Sequence, residues 1–254
     1  MDIVRDRTEI KILPNAPDLF KAAAADFMHR VIETLERKSA FTVVLSGGNT
    51  ANFFLDSLVM YYKEHIPWDQ IHFFWGDERY VPMEAAESNY HMAYEHLFSK
   101  VDIPAKNIHR IPTEFEDPKQ AAQQYELTLR KFFNLNGEEY PKFDLVYLGI
   151  GENAHTASLM PYSDALTESK QLVTSLWVPE LNRYRITLTA HTFNQSPSII
   201  FLVSGENKKL AVWDVLEGPL LPEHYPAQLI QSAHGKTIWY LDKTAAGKLC
   251  LDKN

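Results

Sequence analysis

The hydrophobic pattern near the start of the chain predicts a helix, a buried strand, a turn and a second helix. Between residues 18 and 38, apolar side chains recur at helical spacing. Residues 41–45 form a short unbroken apolar run, a pair of glycines follows, and helical spacing returns over residues 50–65. This order of elements is typical of an open parallel sheet with helical connections.

The same alternation continues towards the other end of the chain. The pattern predicts further strands at 71–75, 143–150, 185–189, 198–203 and 237–241, and further helices at 88–98 (with Ser88 as N-cap), 118–133 and 207–216. The proline-rich segment 218–226 is interpreted as a connection inside one domain. We therefore predict a single α/β domain over residues 1–254, Rossmann-like, with an open, mostly parallel sheet and helices on both faces.

The turn after the first buried strand reads Ser46, Gly47, Gly48, Asn49, Thr50. Paired glycines let the backbone approach a ligand closely, and the free N–H groups of the following helix favour an anion. Asn49 or Thr50 is expected to cap that helix. A plain strand-to-helix turn explains the same residues about as well, because the spacing matches neither the Walker motif nor the dinucleotide fingerprint.

Charged residues gather after the strand at 71–75. Asp77, Glu78 and Arg79 follow it directly, at the edge of the sheet where open α/β folds bind ligands. Two acids and an arginine there can orient a substrate and stabilise developing negative charge. The alternative is a surface cluster of ion pairs, which is common and contributes little.

A third polar stretch follows the strand at 143–150 and contains His155 and Ser158. A histidine titrates near neutrality, so it can take a proton from water and return it to a leaving oxygen. The chain has ten histidines, but the position of His155 after a strand and a glycine turn favours it as the catalytic one. Ser158 lacks the G-x-S-x-G elbow of a serine nucleophile.

Two later cations are further candidates for the same edge. Arg185 begins a predicted strand, and Lys208 follows a buried strand and a glycine. Each is also compatible with an ordinary surface charge. Neither a His-x-x-x-His helix nor a cysteine cluster is present in the sequence, so we predict no metal and no cofactor.

Composition and charge narrow the class of protein. Hydrophobic residues make up 45% and charged residues 23%, as in an ordinary globular protein. The net charge of −8 disfavours nucleic acids and membrane surfaces as partners, although local cations can still hold a small anion. Cys250 is the single cysteine, and the charged N-terminus lacks the apolar core of a signal peptide, so we expect a cytoplasmic protein. No pattern indicates an oligomeric state.

Taken together, these segments resemble the 6-phosphogluconolactonase family, which is related to the glucosamine-6-phosphate deaminases. The matching blocks occur in family order between about residues 18 and 241. They are LSGGNT, FFWGDERYVP with the later SNY, FDLVYLGIGENAHTASLMP, RITLT and VSGENK. The resemblance implies hydrolysis of 6-phosphoglucono-1,5-lactone, a step of the pentose phosphate pathway, with a phosphosugar lactone as the partner molecule.

The resemblance also implies roles for individual residues. His155 matches the family histidine that activates water against the lactone carbonyl, while Asp77 and Arg79 match a charged pair lining the sugar site. A phosphate cradle is implied for the remaining matches, which are Ser46, Gly47, Gly48, Asn49, Thr50, Arg185 and Lys208.

The chain departs from the family pattern at two places. Asn153 and Ala154 stand before the histidine where the family usually has Asp-Gly, so a carboxylate is missing there. The phosphate loop reads Asn49-Thr50-Ala51 instead of Ser-Thr-Pro, a milder change because backbone N–H groups do most of the holding. These departures leave open a slow enzyme or an altered substrate.

Two other functions compete with lactone hydrolysis. An aminosugar-phosphate deaminase or isomerase uses a histidine flanked by acids, whereas this chain has Asn153 and Met160 at those positions. A sugar-phosphate sensor without turnover normally carries a DNA-binding segment, and we expect no helix-turn-helix before Ala16. The retained His155 disfavours a sensor, and the altered Asn153 keeps that function open.

Overall fold

The computed structural model describes residues 7–250, and the first six residues of the charged N-terminal segment lie outside that range. Short 3₁₀ turns connect the main elements. In chain order these are β1 (Thr8–Leu13), α1 (Ala16–Leu35), β2 (Phe41–Leu45), α2 (Asn49–Tyr62), β3 (Ile71–Trp75), β4 (Asp77–Arg79), α3 (Asn89–Ala93), β5 (Ile108–His109), α4 (Pro118–Phe133), β6 (Leu145–Leu148), β7 (Val173–Val178), β8 (Arg183–Leu188), α5 (Ala190–Asn194), β9 (Ser198–Val203), α6 (Lys209–Leu216) and β10 (Lys236–Asp242).

Seven strands form the main sheet in the order β1-β10-β9-β6-β2-β3-β5, and every neighbouring pair is parallel. The predicted open parallel sheet is therefore confirmed. From β2 the chain moves to β3 and β5 on one side, and later from β6 to β9 and β10 on the other. The order thus reverses between β2 and β6, and such a switch point opens a crevice at the carboxyl ends of the strands.

Aromatic side chains show that helices cover both faces of this sheet. Phe73 of β3 packs against Phe98, which follows α3, whereas the next residue, Phe74, packs against Phe132 of α4. Successive side chains of a strand point to opposite faces. On the α3 side, α1 and α2 add further aromatic rings against Tyr147 of β6. The predicted helices on both faces are confirmed.

A second, three-stranded antiparallel sheet follows the carboxyl end of β3, and the hydrophobic pattern did not predict it. Its order is β4-β8-β7. Gly76 joins β3 to β4, and its carbonyl accepts a hydrogen bond from Leu188 N at the end of β8 (2.8 Å). The strand predicted at 185–189 is β8 of this sheet. Its register places Asp77 opposite Thr187 and Arg79 opposite Arg185.

Two further expectations concern helices. Ser88 caps α3 as predicted, since its side chain accepts from His91 N, and a π-helical turn extends the helix to Phe98. The expected side-chain cap on α2 is wrong, because Gly48 is the N-cap and no side chain bonds to the helix start. Within residues 7–250, the helices are too short or too polar to cross a bilayer.

Candidate active site

The carboxyl ends of β2, β6 and β9 meet the small sheet around one cavity of about 540 Å³. The cavity lies at the switch point between β2 and β6, where open α/β sheets bind ligands. All ten residues proposed from the sequence line it: Ser46, Gly47, Gly48, Asn49, Thr50, Asp77, Arg79, His155, Arg185 and Lys208. The parallel sheet brings these residues together because each follows a strand end or lies on the small sheet.

The loop 46–50 presents the start of α2 to this cavity. Gly48 has a φ of 91°, a conformation that glycine adopts without strain. Because no side chain caps the helix, its first N–H groups are available to a ligand. The N-terminus of a helix also carries partial positive charge. This end of the cavity is suited to an anion such as a phosphate group.

Three cations surround the rest of the cavity. Lys208 follows β9 in a short turn, and within residues 7–250 no carboxylate forms an ion pair with it. Arg185 is largely buried, lies 4.0 Å from the Asp77 carboxylate, and leaves its Nε without a hydrogen bond among the described residues. Arg79 donates to the carbonyl of Glu87, and its Nε also has no partner there. Unused, buried Nε donors on two partly buried arginines fit a site that binds an anionic ligand.

The two acids after β3 are buried and do not form the surface cluster considered as an alternative. Asp77 accepts a hydrogen bond from the Ser158 hydroxyl at 2.6 Å, and its ion-pair partner is Arg185, not Arg79. Glu78 is 2% exposed and binds the start of α3. Ser158 is 0% exposed and does not line the cavity, so its hydroxyl is not accessible to a substrate as a nucleophile.

His155 contacts the asparagine that precedes it by two residues. Its Nδ1 lies 2.5 Å from Asn153 Oδ1, and that same oxygen accepts the backbone N–H of His155 at 3.3 Å. A carbonyl oxygen only accepts hydrogen bonds, so Nδ1 carries the proton and Nε2 keeps its lone pair. Gly151 lies beneath the ring, where a Cβ would approach Nδ1 to 2.1 Å. An amide in place of the family carboxylate therefore still holds the imidazole as a base.

Burial lowers the pKa of His155 below its ordinary value. The Asp77 carboxylate acts in the opposite direction, and Lys208, Arg185 and Arg79 lower the pKa further. A lowered pKa means that the ring is neutral at pH 7. The geometry and the surrounding charges thus both favour a general base over an imidazolium acid.

Replacing Asn153 by aspartate is expected to move the acid side of the pH–rate profile to higher pH by about one to two units. A carboxylate beside Nδ1 stabilises the imidazolium, raises the pKa of His155 and so requires a higher pH for the neutral base. The measurement is kcat/KM for the lactone from pH 5 to 8. Asn153→Ala is the control, because it removes the contact without adding charge. An unchanged profile in Asn153→Asp would show that this contact does not govern the titration.

The loop that carries His155 contains left-handed backbone at a non-glycine residue. Ala154 has a φ of 60° and is 1% exposed, at the position where the resembling family usually has glycine. An L-residue in this conformation costs about 1–2 kcal/mol. Part of that cost is offset because alanine has less freedom than glycine in the unfolded chain.

Ala154→Gly is therefore expected to raise the free energy of unfolding by about 0.5–1 kcal/mol. Chemical denaturation measures the change. The matched control is Ala25→Gly in the middle of α1, where the same substitution should destabilise by about 1 kcal/mol. Equal destabilisation at both positions would show that the backbone at residue 154 is not strained.

Sequence reasoning missed several residues that line the cavity. Asn89 comes from the start of α3, Ser204 and Asn207 from the turn after β9, and Glu152 from the loop after β6. Asn207 donates to Glu152 at 2.7 Å. All four residues lie in the blocks that carry the family resemblance, namely SNY, VSGENK and FDLVYLGIGENAHTASLMP, so their position in these blocks could have identified them. Among residues 7–250, no group of three acids, histidines or cysteines is placed to hold a metal ion.

The fold and the cavity define a class: α/β proteins with a cavity lined by cations at the switch point of a parallel sheet. A family model described as glucosamine-6-phosphate isomerases/6-phosphogluconolactonase matches residues 14–239. The 6-phosphogluconolactonase of Synechocystis sp. is 37% identical over 95% of this chain and 98% of its own length. That of Haemophilus influenzae is 38% identical over 80% and 85%, respectively. The chain belongs to the glucosamine-6-phosphate isomerase/6-phosphogluconolactonase family.

Solved structures agree with this membership. The 6-phosphogluconolactonase of Thermotoga maritima is 29% identical and superposes with a TM-score of 0.80 over 93% of this chain and all of its own. The enzyme from Trypanosoma cruzi is 26% identical, with a TM-score of 0.85 over 96% and 97%. A monomeric glucosamine-6-phosphate deaminase, 20% identical with a TM-score of 0.79 over 94% and 99%, shares the fold.

Proposed function

We propose that this protein hydrolyses 6-phosphoglucono-1,5-lactone to 6-phosphogluconate, the reaction of the oxidative pentose phosphate pathway. Relatives named 6-phosphogluconolactonase match nearly the whole chain at 36–37% identity. The observation that carries the proposal is the cavity itself. It combines a neutral histidine, whose Nε2 lone pair is free, with an uncapped helix start and with Lys208, which has no ion-pair partner among residues 7–250. Arg79 and Arg185 add an unused Nε each.

In the proposed mechanism, His155 Nε2 takes a proton from water while the water oxygen bonds to C1 of the lactone. The carbonyl becomes a tetrahedral oxyanion. When it re-forms, the bond between C1 and the ring oxygen breaks, and the imidazolium gives its proton to that oxygen. The carboxylic acid formed at C1 then loses its proton to solvent. The steps balance without a covalent intermediate or an electron donor, and general base catalysis of this kind contributes about 10²–10⁴-fold.

The phosphate cradle is proposed to orient the substrate. The loop 46–50, Arg185 and Lys208 would hold the phosphate, so that the lactone carbonyl faces His155. Asp77 is ion-paired to Arg185 of the proposed cradle, and its charge acts to raise the pKa of His155. Arg79, whose Nε has no partner among the described residues, would stabilise negative charge that develops on the substrate.

The geometry favours hydrolysis over the related deamination. Removing a carbon-bound proton needs acids around the histidine, but Asn153 binds it through an amide and Met160 packs against the hydrophobic core. A sensor without turnover would not need the histidine fixed as a base.

We further propose that a single domain carries the activity in the cytoplasm. The single cysteine fits a reducing compartment. Strands β1 and β10 come from opposite ends of the described chain and pair in one sheet, which supports a single domain.

The test is to follow acid release from freshly generated 6-phosphoglucono-1,5-lactone above the spontaneous rate, with ammonia release from glucosamine 6-phosphate measured in parallel. Calorimetry with 6-phosphogluconate reports binding independently of turnover. Acceleration of lactone hydrolysis alone supports the proposal. Ammonia release would favour the deaminase, and binding without either reaction would favour the sensor.

A further inference from the structure

Asn89 contacts two parts of the cavity lining, Asp77 and the loop 46–50, although its side chain is almost inaccessible to solvent. The residue is 1% exposed, yet it lines the cavity. Its Nδ2 donates to the Asp77 backbone carbonyl at 2.9 Å and to the Asp77 carboxylate at 3.3 Å. Its Oδ1 lies so close to the phosphate loop that a Cβ on Gly47 would be only 1.8 Å away. The asparagine therefore sits between Asp77 and the loop 46–50.

The Gly47 contact is made without a conventional hydrogen bond. Asn89 Oδ1 is buried and has no hydrogen-bond partner among the described residues. A buried oxygen with no partner is unfavourable, so a position of this kind needs a reason other than stability. The oxygen limits how closely the loop can approach Asp77, while Nδ2 holds Asp77 on the other side. The amide thus acts as a spacer of fixed length.

The buried acid Glu78 fixes the backbone of Asn89. Its carboxylate accepts four hydrogen bonds, from Arg79 N (2.7 Å), Asn89 N (2.7 Å), Tyr90 N (2.9 Å) and Ser88 Oγ (3.0 Å). This carboxylate joins β4, which carries Asp77 and Arg79, to the first residues of α3. Because all four bonds end on this one carboxylate, a side-chain change at Glu78 would weaken the connection between β4 and the first residues of α3.

We propose that Asn89, held by Glu78, is a positioning residue that fixes the distance between the phosphate loop and Asp77. The inference rests on the proposed lactonase function and explains how phosphate binding is converted into rate. A phosphate held at a fixed distance from Asp77 brings the lactone carbonyl to His155 in one orientation. A misplacement of the lactone by about 1 Å can lower the rate on the order of 100-fold.

The experiment compares two substrates, 6-phosphoglucono-1,5-lactone and unphosphorylated glucono-1,5-lactone. Only the first uses the phosphate loop, so the ratio of its kcat to that of the second measures how well phosphate binding orients the ring. Asn89→Ala is expected to lower this ratio at least tenfold. Binding of inorganic phosphate, measured by calorimetry, should change less than about twofold, because the helix start and Lys208 remain.

The matched control is Asn107→Ala. Asn107 is equally buried, and its Nδ2 donates to the Asp69 carbonyl at 2.8 Å, but it does not line the cavity. Thermal unfolding should show a loss of stability in both variants, whereas the substrate ratio should fall only in Asn89→Ala. If Asn89→Ala does not fold, Asn89→Ser and Glu78→Gln provide the same comparison, and the ratio should fall in both.

The outcomes separate this inference from the proposed function. Wild-type protein that does not accelerate lactone hydrolysis would refute the function itself. Active wild type with an unchanged substrate ratio in a folded Asn89 variant would overturn the positioning role. Equal losses for both lactones, matched by Asn107→Ala, would show that Asn89 acts only through stability and would also overturn it.

Discussion

Replacement of His155 by alanine is expected to lower kcat for lactone hydrolysis by about 10²–10⁴-fold. The substitution removes the neutral Nε2 that is proposed to take the proton from water. It leaves in place the loop 46–50 and Lys208, which are proposed to hold the phosphate end of the ligand. The dissociation constant for 6-phosphogluconate should therefore change much less than the rate. Progress curves corrected for spontaneous hydrolysis give kcat, and calorimetry gives the dissociation constant.

His234→Ala is the matched control for this prediction. His234 is an exposed histidine that contacts Gln195 at 3.0 Å and does not line the cavity. Its replacement tests whether the loss of any histidine slows the reaction through general destabilisation. Wild-type turnover in His155→Ala would refute the assigned mechanism, even if lactonase activity itself were established. Parallel losses in both variants would refute it as well.

The elements that sequence analysis predicted best are those with continuous apolar runs. The strands at 41–45 and 71–75 match β2 and β3 residue for residue, because both lie between two neighbouring strands of the sheet and are packed on two faces. The edge strand β1 was missed. It mixes Glu9 and Lys11 with apolar residues, since one side of it faces away from the sheet, and its charges obscure the pattern.

The small sheet was not predicted because charged residues also obscure the pattern of its first strand. β4 contains only Asp77, Glu78 and Arg79, a sequence that reads as a charged turn. It becomes a strand because β8 pairs with it, and that pairing joins residues more than 100 positions apart. The same pairing brings Arg185 to Asp77. Local propensity contains no information about such a partner.

The location of the cavity could be predicted, but its internal contacts could not. Parallel strands end at one edge, so residues that follow β2, β6 and β9 must lie near each other. The contact between Asn153 and His155 depends on the left-handed backbone at Ala154, where an alanine occupies a conformation it rarely adopts. The position of Asn89 depends on the buried carboxylate of Glu78. Both follow from tertiary packing.

Replacement of Lys208 by alanine is expected to raise KM for the phosphorylated lactone by about 10–100-fold. A hydrogen bond between a cation and a phosphate contributes about 1.5–3 kcal/mol, and 1.4 kcal/mol corresponds to a factor of ten. Lys208 has no carboxylate partner within residues 7–250, so its removal leaves no unpaired buried acid. Arg185→Ala would be harder to interpret, because it also leaves Asp77 without its ion pair.

The neighbouring Lys209 provides the matched control, because its ammonium group already pairs with Glu206 at 2.7 Å and does not line the cavity. Both variants lose one positive charge, so a general electrostatic effect on an anionic substrate would weaken binding equally. A specific contact predicts a large effect for Lys208→Ala, a small one for Lys209→Ala, and none in either variant for unphosphorylated glucono-1,5-lactone. Similar KM values for the phosphorylated lactone in both variants would remove Lys208 from the cradle and leave the helix start and Arg185 to hold the phosphate.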